Sequence, residues 1–132
     1  MNRTEAKKAW NSLKSRANRQ YKKGILRARF NWDSDDFVAW YTEADNECFY
    51  CHIPGGKFIP IWGEFYGGRR GKRLEVDRKN NAEGYSRNNC VKACSLCNCA
   101  KSDKIEFCDF KRVGKIIEEI WKKTAALKRI NL

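Results

Sequence analysis

Residues 74–103 read LEVDRKNNAEGYSRNNCVKACSLCNCAKSD, and this stretch decides the fold. It contains two short runs that are typical of β-strands, "RLEVD" and "NCVKAC", joined by a polar connection with one glycine. The segment that follows, "SLCNCAKSD", begins with Ser95, a residue type that favours a helix N-terminus. The stretch therefore predicts a strand, a loop, a second strand and a helix, in that order.

Two CxxC pairs, one inside this stretch and one upstream of it, are the candidate metal ligands: Cys48, Cys51, Cys94 and Cys97. Two such pairs can bind one tetrahedral Zn²⁺ through four thiolates, and a site with four protein ligands has no open position for a substrate. The sequence therefore predicts one structural zinc ion per chain. Two alternatives stay open: Cys99 in place of Cys97, and His52 as a fourth ligand or as a base.

The compartment follows from the N-terminal sequence and the cysteines. The first 23 residues contain no continuous apolar run of the kind that a secretory signal needs, and no stretch is long enough to span a membrane. We therefore expect a cytoplasmic protein with no membrane partner, in which seven cysteines favour metal binding over disulfides. The three cysteines outside the two pairs are expected to pack in the core: Cys90, Cys99 and Cys108.

Charge is unevenly distributed along the 132 residues, whose formal net charge is +12. Residues 1–30 have ten Lys and Arg against one acidic residue, residues 31–66 have one against seven, and residues 67–132 have seventeen against eight. Basic surfaces attract polyanions, so nucleic acid is the first partner to consider. A zinc module for protein interaction is disfavoured, because the loops are basic rather than apolar.

Amphipathic helices are predicted on both sides of the central stretch. The first ends near Gly24 and has basic residues around an apolar stripe: Trp10, Leu13, Ala17 and Tyr21. A short second helix begins at Asp33, Ser34 or Asp35, with a buried face of Phe37, Val38, Trp40 and Tyr41. The last helix has its stripe at Val113, Ile116, Ile117, Ile120 and Trp121. That stripe is interpreted as core, with a seam between two copies of the chain as the alternative.

A basic loop is predicted before the central stretch. "KFIPIWGEF", residues 57–65, is rich in apolar and aromatic residues and predicts a short strand. The glycines of "YGGRRG" then indicate a mobile loop. The candidate DNA-binding residues are the cations of this loop and one lysine of the following helix: Arg69, Arg70, Lys72, Arg73 and Lys101.

The central stretch, within its four-cysteine frame, resembles the HNH endonuclease family. The motif of that family has an acidic residue and a histidine at the end of one strand, an Asn in the connecting loop, and a His or Asn on the next helix. The form with D-R, G-Y, N and C-x-x-C-N-x-x-K is similar to a phage-type branch, and the resemblance covers roughly residues 37 to 122. It implies a phage or mobile-element origin, and thus the cytoplasm of a bacterial host.

The resemblance implies roles for individual residues. Asp77 and Asn98 would hold a catalytic Mg²⁺ or Mn²⁺, and such ions prefer oxygen ligands of this kind. Asn89 matches the middle Asn of the motif, which holds the loop between strand and helix in place. Arg78 stands where most members have the histidine that activates water, and an arginine cannot accept a proton. The G-Y pair implies Tyr85 as the base, with Arg78 holding the scissile phosphate and favouring the phenolate.

These observations together predict an α+β fold: a small ββα-metal core in a four-cysteine zinc frame, flanked by N- and C-terminal amphipathic helices. We expect a single domain, with a basic helical region at 1–47, the zinc-framed core at 48–104 and a C-terminal helix at 105–132. The predicted function is a metal-dependent endonuclease for double-stranded DNA, either monomeric or a homodimer. The alternative is a non-catalytic, zinc-stabilised module that binds nucleic acid.

Overall fold

A computed structural model of the chain describes residues 3–25, 29–43, 46–65 and 70–132. The elements in chain order are α1 (Arg3–Lys22), α2 (Ser34–Thr42), α3 (Phe58–Trp62), β1 (Glu75–Arg78), β2 (Cys90–Ala93), α4 (Ser95–Lys101) and α5 (Phe107–Leu127), with one 3-10 turn at Arg87–Asn89. The strands β1 and β2 pair in a two-stranded sheet, and α4 follows at once. The α+β class and the strand, loop, strand, helix order of the central stretch are confirmed.

The chain divides into two compact units. Unit 1 comprises Met1–Asp45 and Arg78–Cys90, and unit 2 comprises Asn46–Asp77 and Val91–Leu132. The chain enters unit 1 for the second time directly after Asp77, so each unit consists of two separate segments. The three consecutive regions expected from the sequence do not follow these boundaries, and the single domain stays a prediction.

Unit 1 contains the basic helix α1 packed against α2. The buried residues of α1 recur at helical spacing: Ala6, Ala9, Leu13 and Ala17. The predicted stripe is therefore correct at its centre but wrong at Tyr21, which is 40% exposed. The cap of α2 is one of the three that were predicted, because the Asp33 carboxylate accepts a hydrogen bond from the Asp36 amide at 2.9 Å.

Unit 2 corrects the prediction for residues 57–65, where Phe58–Trp62 form the helix α3 and not a strand. Phe58 and Ile61 are its buried residues, and their three-residue spacing is that of a helix face. Pro60 is tolerated because it lies in the first turn, where the backbone N–H groups have no partner within the helix.

The long helix α5 corrects a second prediction. Its fully covered positions are Phe110, Gly114, Trp121 and Ala125, whereas Ile116 and Ile120 of the predicted stripe are 59% and 48% exposed. The reason is a close approach at Gly114, where a Cβ would lie 2.5 Å from the Tyr50 carbonyl oxygen. The side of α5 that contains Gly114 therefore faces the core, and Val113 and Ile117 are only partly buried at its margin.

The three cysteines outside the CxxC pairs do not share one environment. Cys90 is buried, as expected, but Cys99 and Cys108 are exposed, so their assignment to the core is wrong. Among the described residues, no helix has the length and apolar character that a membrane crossing requires.

Candidate functional site

The two CxxC pairs meet within unit 2. All four sulfur atoms of Cys48, Cys51, Cys94 and Cys97 lie within 4.8 Å of one another, and all four residues are buried. Local hydrogen bonds form each turn: the His52 amide donates to the Cys48 carbonyl at 2.9 Å, and the Cys97 amide donates to the Cys94 side-chain sulfur at 3.4 Å. Helix α5 holds the first turn, since the Trp121 indole donates to the Cys51 carbonyl at 2.7 Å.

This cluster fits a tetrahedral metal. Four sulfurs at a Zn–S distance of about 2.3 Å lie about 3.8 Å apart, and the Cys51 and Cys94 sulfurs are separated by 3.8 Å. The hydrogen bond with Cys51 is the largest cause that lowers the pKa of Cys48, and the bond with Cys48 in turn raises the pKa of Cys51 and of Cys97. A metal cation bound by all four sulfurs would favour the thiolate form of each cysteine, so the opposite pKa shifts of these thiols would no longer apply.

Neither alternative ligand belongs to the cluster. His52 has a left-handed backbone, φ 62°, and its Nδ1 lies 3.3 Å from the Glu118 carboxylate on α5. Cys99 is exposed, and it is absent from the cluster that Cys97 completes. His52 therefore forms the turn after the first pair.

Asp77 lies at the end of the unit 2 part of β1 and is only 4% exposed. The Tyr50 hydroxyl donates to its Oδ2 at 2.5 Å, and the Lys101 ammonium lies 3.4 Å from the same oxygen. Burial, followed by the hydrogen bond to Asp77, raises the pKa of Tyr50, so the phenol stays a donor. A buried carboxylate is thus kept in place by one neutral donor and one cation.

Asn98 lies on α4 and contacts a second acid of β1. Its Nδ2 donates to Glu75 Oε1 at 2.8 Å, and the Ser95 hydroxyl donates to Glu75 Oε2 at 2.5 Å. Burial alone would raise the pKa of Glu75, but hydrogen bonds from Arg70, Ser95 and Asn98 outweigh it and lower the pKa.

The contacts reveal how β1 and α4 face each other in unit 2. Glu75 and Asp77 are two residues apart, which places both on one face of the strand. Ser95, Asn98 and Lys101 are three residues apart, which places them on one face of the helix. Glu75 contacts the first two and Asp77 contacts the third, so the predicted ligands Asp77 and Asn98 lie on surfaces that face each other.

In unit 1, Arg78 and Tyr85 form a pair. The guanidinium carbon of Arg78 lies 4.8 Å from the centre of the Tyr85 ring, and an Arg78 nitrogen lies 3.5 Å from the Glu83 carbonyl oxygen. Glu83 itself is exposed. Tyr85 is 8% exposed and lines a cavity of about 510 Å³ together with Tyr21, Arg29 and Asn31.

The loop that presents Tyr85 has a defined backbone. Asn89 accepts from the Asn80 amide at 3.0 Å and donates to the Asn80 and Gly84 carbonyls at 3.1 and 2.9 Å, as a residue that holds the loop would do. Residues 29–31 flank the loop on the other side, where the Tyr85 amide donates to the Arg29 carbonyl at 2.7 Å. A Cβ on Gly84 would lie 2.2 Å from that carbonyl oxygen, so the glycine of the G-Y pair is required for this approach.

The predicted DNA-binding residues have different environments. Arg69 lies outside the described residues. Arg70 is engaged with Glu75 in a two-pronged ion pair, at 2.9 and 2.6 Å, whereas Lys72 and Arg73 are exposed. Lys101 is fully buried beside Asp77, which places its ammonium away from the solvent-facing surface that a phosphate contact needs.

Glu75 and Tyr50 were not among the predicted site residues. Glu75 stands two positions before Asp77, so the period of a strand was the available signal that both acids share one face. Tyr50 lies inside the first CxxC pair, 27 residues before Asp77. No local pattern connects residues that far apart in the sequence.

Comparison with known proteins gives one solved structure with extensive similarity. It is the structure of the rare-cutting HNH restriction endonuclease PacI, which was reported to perturb its DNA. The two chains are 30% identical, and the match has a TM-score of 0.74 and covers 87% of this chain and 78% of that chain. No family model and no curated protein matches this chain.

Proposed function

Because this chain belongs to the HNH endonuclease family, we propose that it is a metal-dependent endonuclease that hydrolyses phosphodiester bonds in double-stranded DNA. The observation that carries the proposal is the arrangement in unit 2, where Asp77 on β1 and Asn98 on α4 lie on facing surfaces. A carboxylate and an amide oxygen on facing surfaces would form a partial set of oxygen ligands for a divalent cation. A module that only binds nucleic acid has no need of them.

Asp77 and Asn98 would hold the catalytic Mg²⁺ or Mn²⁺, since both residues offer oxygen atoms that hard cations prefer. Two protein ligands leave positions for water and for a phosphate oxygen. The ion would supply stabilisation of the negative charge that develops on the phosphate and the leaving 3′ oxygen. The Lys101 ammonium, 3.4 Å from Asp77 Oδ2, holds this carboxylate in place beside the proposed ion.

The residues of unit 1 would bind the phosphate and move the proton. The Arg78 guanidinium has paired donors that suit two phosphate oxygens. Tyr85 would act as its phenolate and accept a proton from the attacking water at its phenolic oxygen, which leaves the neutral phenol. The Arg78 guanidinium carbon lies 4.8 Å from the centre of its ring. Asn89 would keep the loop and therefore the phenol in position, which its three hydrogen bonds support.

The four-cysteine cluster would hold one structural Zn²⁺ per chain, since its ligand number leaves no open position for chemistry. The basic face of α1 and the exposed loop residues Lys72 and Arg73 would bind the DNA backbone. A phage or mobile-element origin and a bacterial cytoplasmic location rest on the family resemblance alone. For a homodimer, the exposed Ile116 and Ile120 of α5 would be the face to test.

Cleavage of supercoiled plasmid tests the proposal. The zinc-loaded protein is incubated with Mg²⁺ or Mn²⁺, or with EDTA, beside the Asp77→Ala variant. Asp109→Ala, which changes an exposed aspartate of α5, is the matched control. We expect nicked or linear DNA from the wild type and the control, and none from Asp77→Ala or with EDTA.

The alternative function predicts another pattern. A zinc-stabilised binding module would shift DNA in a gel without cutting it, and Asp77→Ala would bind as well as the wild type. Absence of cutting on several DNA substrates, with binding retained, would therefore overturn the endonuclease in favour of the binding module.

A further inference from the structure

Glu75 is the centre of a hydrogen-bonded group in unit 2. Its carboxylate accepts from Arg70 Nε and Nη2, from the Ser95 hydroxyl and from Asn98 Nδ2. Ser95 is itself held, because the Gly71 amide donates to its oxygen at 2.9 Å. The carboxylate is thus fixed from three sides, by the loop before β1 and by α4.

We propose that Glu75 is a positioning residue that orients the Asn98 side chain, so that its amide carbonyl, and not its NH₂ group, is presented to the divalent cation. This proposal rests on the proposed function, since it assigns how one of the two metal ligands is prepared. Glu75 itself is not one of the two predicted ligands, which are Asp77 and Asn98.

The argument comes from the two ends of an amide. Asn98 has one oxygen, which accepts, and one nitrogen, which only donates. A carboxylate paired with Arg70 offers acceptors alone, so the side of Asn98 that meets Glu75 has to be the nitrogen. The Asn98 oxygen is then directed away from Glu75 and stays available for a cation.

The group also explains why Asn98 needs a partner at all. An amide that nothing orients can rotate by half a turn, and its nitrogen then faces the cation and repels it. Residues that hydrogen-bond to metal ligands commonly change metal affinity by about 10-fold to 100-fold when they are removed. Arg70 and Ser95 would contribute by holding Glu75 itself in one orientation.

The test measures Mn²⁺ binding by the zinc-loaded protein without DNA, through the loss of the free-ion signal in electron paramagnetic resonance. We expect Glu75→Ala to weaken binding by about 10-fold or more, and Glu75→Gln to weaken it in the same direction but less. Glu119→Gln, at an exposed acid of α5, is the matched control and should bind as the wild type does. Zinc content and the melting temperature show whether each variant is folded.

A double exchange distinguishes orientation from simple structural support. In Glu75→Gln with Asn98→Asp, the glutamine NH₂ group can donate to one aspartate oxygen and leave the other for the cation. We expect this pair to regain most of the affinity that Glu75→Gln loses, whereas damage to the fold would not be repaired. If Glu75→Ala does not fold, Glu75→Gln and this pair carry the test.

The outcomes separate the two proposals. Weak binding in Asn98→Ala together with unchanged binding in both Glu75 variants would overturn the role of Glu75 and leave the metal site standing. Unchanged binding in Asn98→Ala, or no binding in the wild type, would remove Asn98 as a ligand and with it both the metal site and the orientation.

Discussion

Lys101 is fully buried, and its ammonium lies 3.4 Å from a carboxylate oxygen of Asp77, which is 4% exposed. Burying a lysine of this kind costs desolvation free energy, which a paired carboxylate helps to offset. The pair therefore gives Asp77 a fixed positive neighbour within its own unit, and the two residues depend on each other.

Replacing Lys101 by Met should expose this dependence. We expect Lys101→Met to lower the free energy of unfolding by about 3 kcal/mol, because it leaves a buried carboxylate without its cation. Added Mg²⁺ should then raise the melting temperature of the variant more than that of the wild type, since a bound cation replaces the lost charge. Lys104→Met, at an exposed lysine three residues later, is the control. Equal Mg²⁺ shifts in all three proteins would argue against a cation at Asp77.

Tyr85→Phe tests the proposed base. The ring and its contact with Arg78 are retained while the phenolic oxygen is removed, so we expect DNA binding to persist and cleavage to fall by about 100-fold or more. Tyr21→Phe removes the hydroxyl of another tyrosine that lines the same cavity and should cut at the wild-type rate. Single-turnover cleavage is the measurement. An unchanged rate for Tyr85→Phe would exclude it as the base and make His52 the next residue to replace.

Cys97 and Cys99 provide a matched pair for the structural metal. Cys97→Ser removes one of four clustered sulfurs, whereas Cys99→Ser changes an exposed thiol two residues further along α4. We expect Cys97→Ser to lose bound zinc and most of its thermal stability, because zinc binding contributes directly to folding in sites of this type. Cys99→Ser should keep one zinc per chain. Elemental analysis and thermal unfolding measure both, and full zinc occupancy in Cys97→Ser would contradict the four-thiolate site.

Lys72 and Arg73, the exposed cations of the loop before β1, should contribute to DNA affinity through their charge alone. We expect Lys72→Ala and Arg73→Ala each to weaken DNA binding at low salt and to reduce the slope of log affinity against log salt by about 1. Lys123→Ala, at an exposed lysine of α5, is the comparison. Gel shifts over a series of salt concentrations provide the slopes, and equal slopes for all variants would remove this loop from the DNA-binding surface.

Local signals in the sequence predicted most helices and strands, but not which side of a helix is buried. Asp33 caps α2 and the strands around 75–78 and 90–93 form as expected, because caps and alternation are local properties. The helix α3 was mistaken for a strand because a short apolar run does not distinguish the two periods. On α5, the direction of burial depends on a glycine, and hydrophobicity does not identify Gly114 as a contact.

At the candidate site, the family resemblance implied roles for Asp77, Asn98 and Tyr85, but nothing in the sequence predicted their partners. The burial of Lys101 depends on Asp77, 24 residues earlier, and the surroundings of Asp77 include Tyr50 from the first CxxC pair. Such pairings arise from packing between distant segments, which a single sequence does not encode in a local pattern.

The division of unit 2 into two segments has a consequence for protein synthesis. Cys48 and Cys51 leave the ribosome before Cys94, with 42 residues between Cys51 and Cys94. At roughly 5–20 residues per second, the first two thiols wait roughly 2–8 s for the second pair. Trp121, whose indole binds the Cys51 carbonyl, emerges later still. Metal capture by the four cysteines would therefore be a late step of folding, and the nascent chain carries Cys48 and Cys51 without their partners until Cys94 and Cys97 emerge.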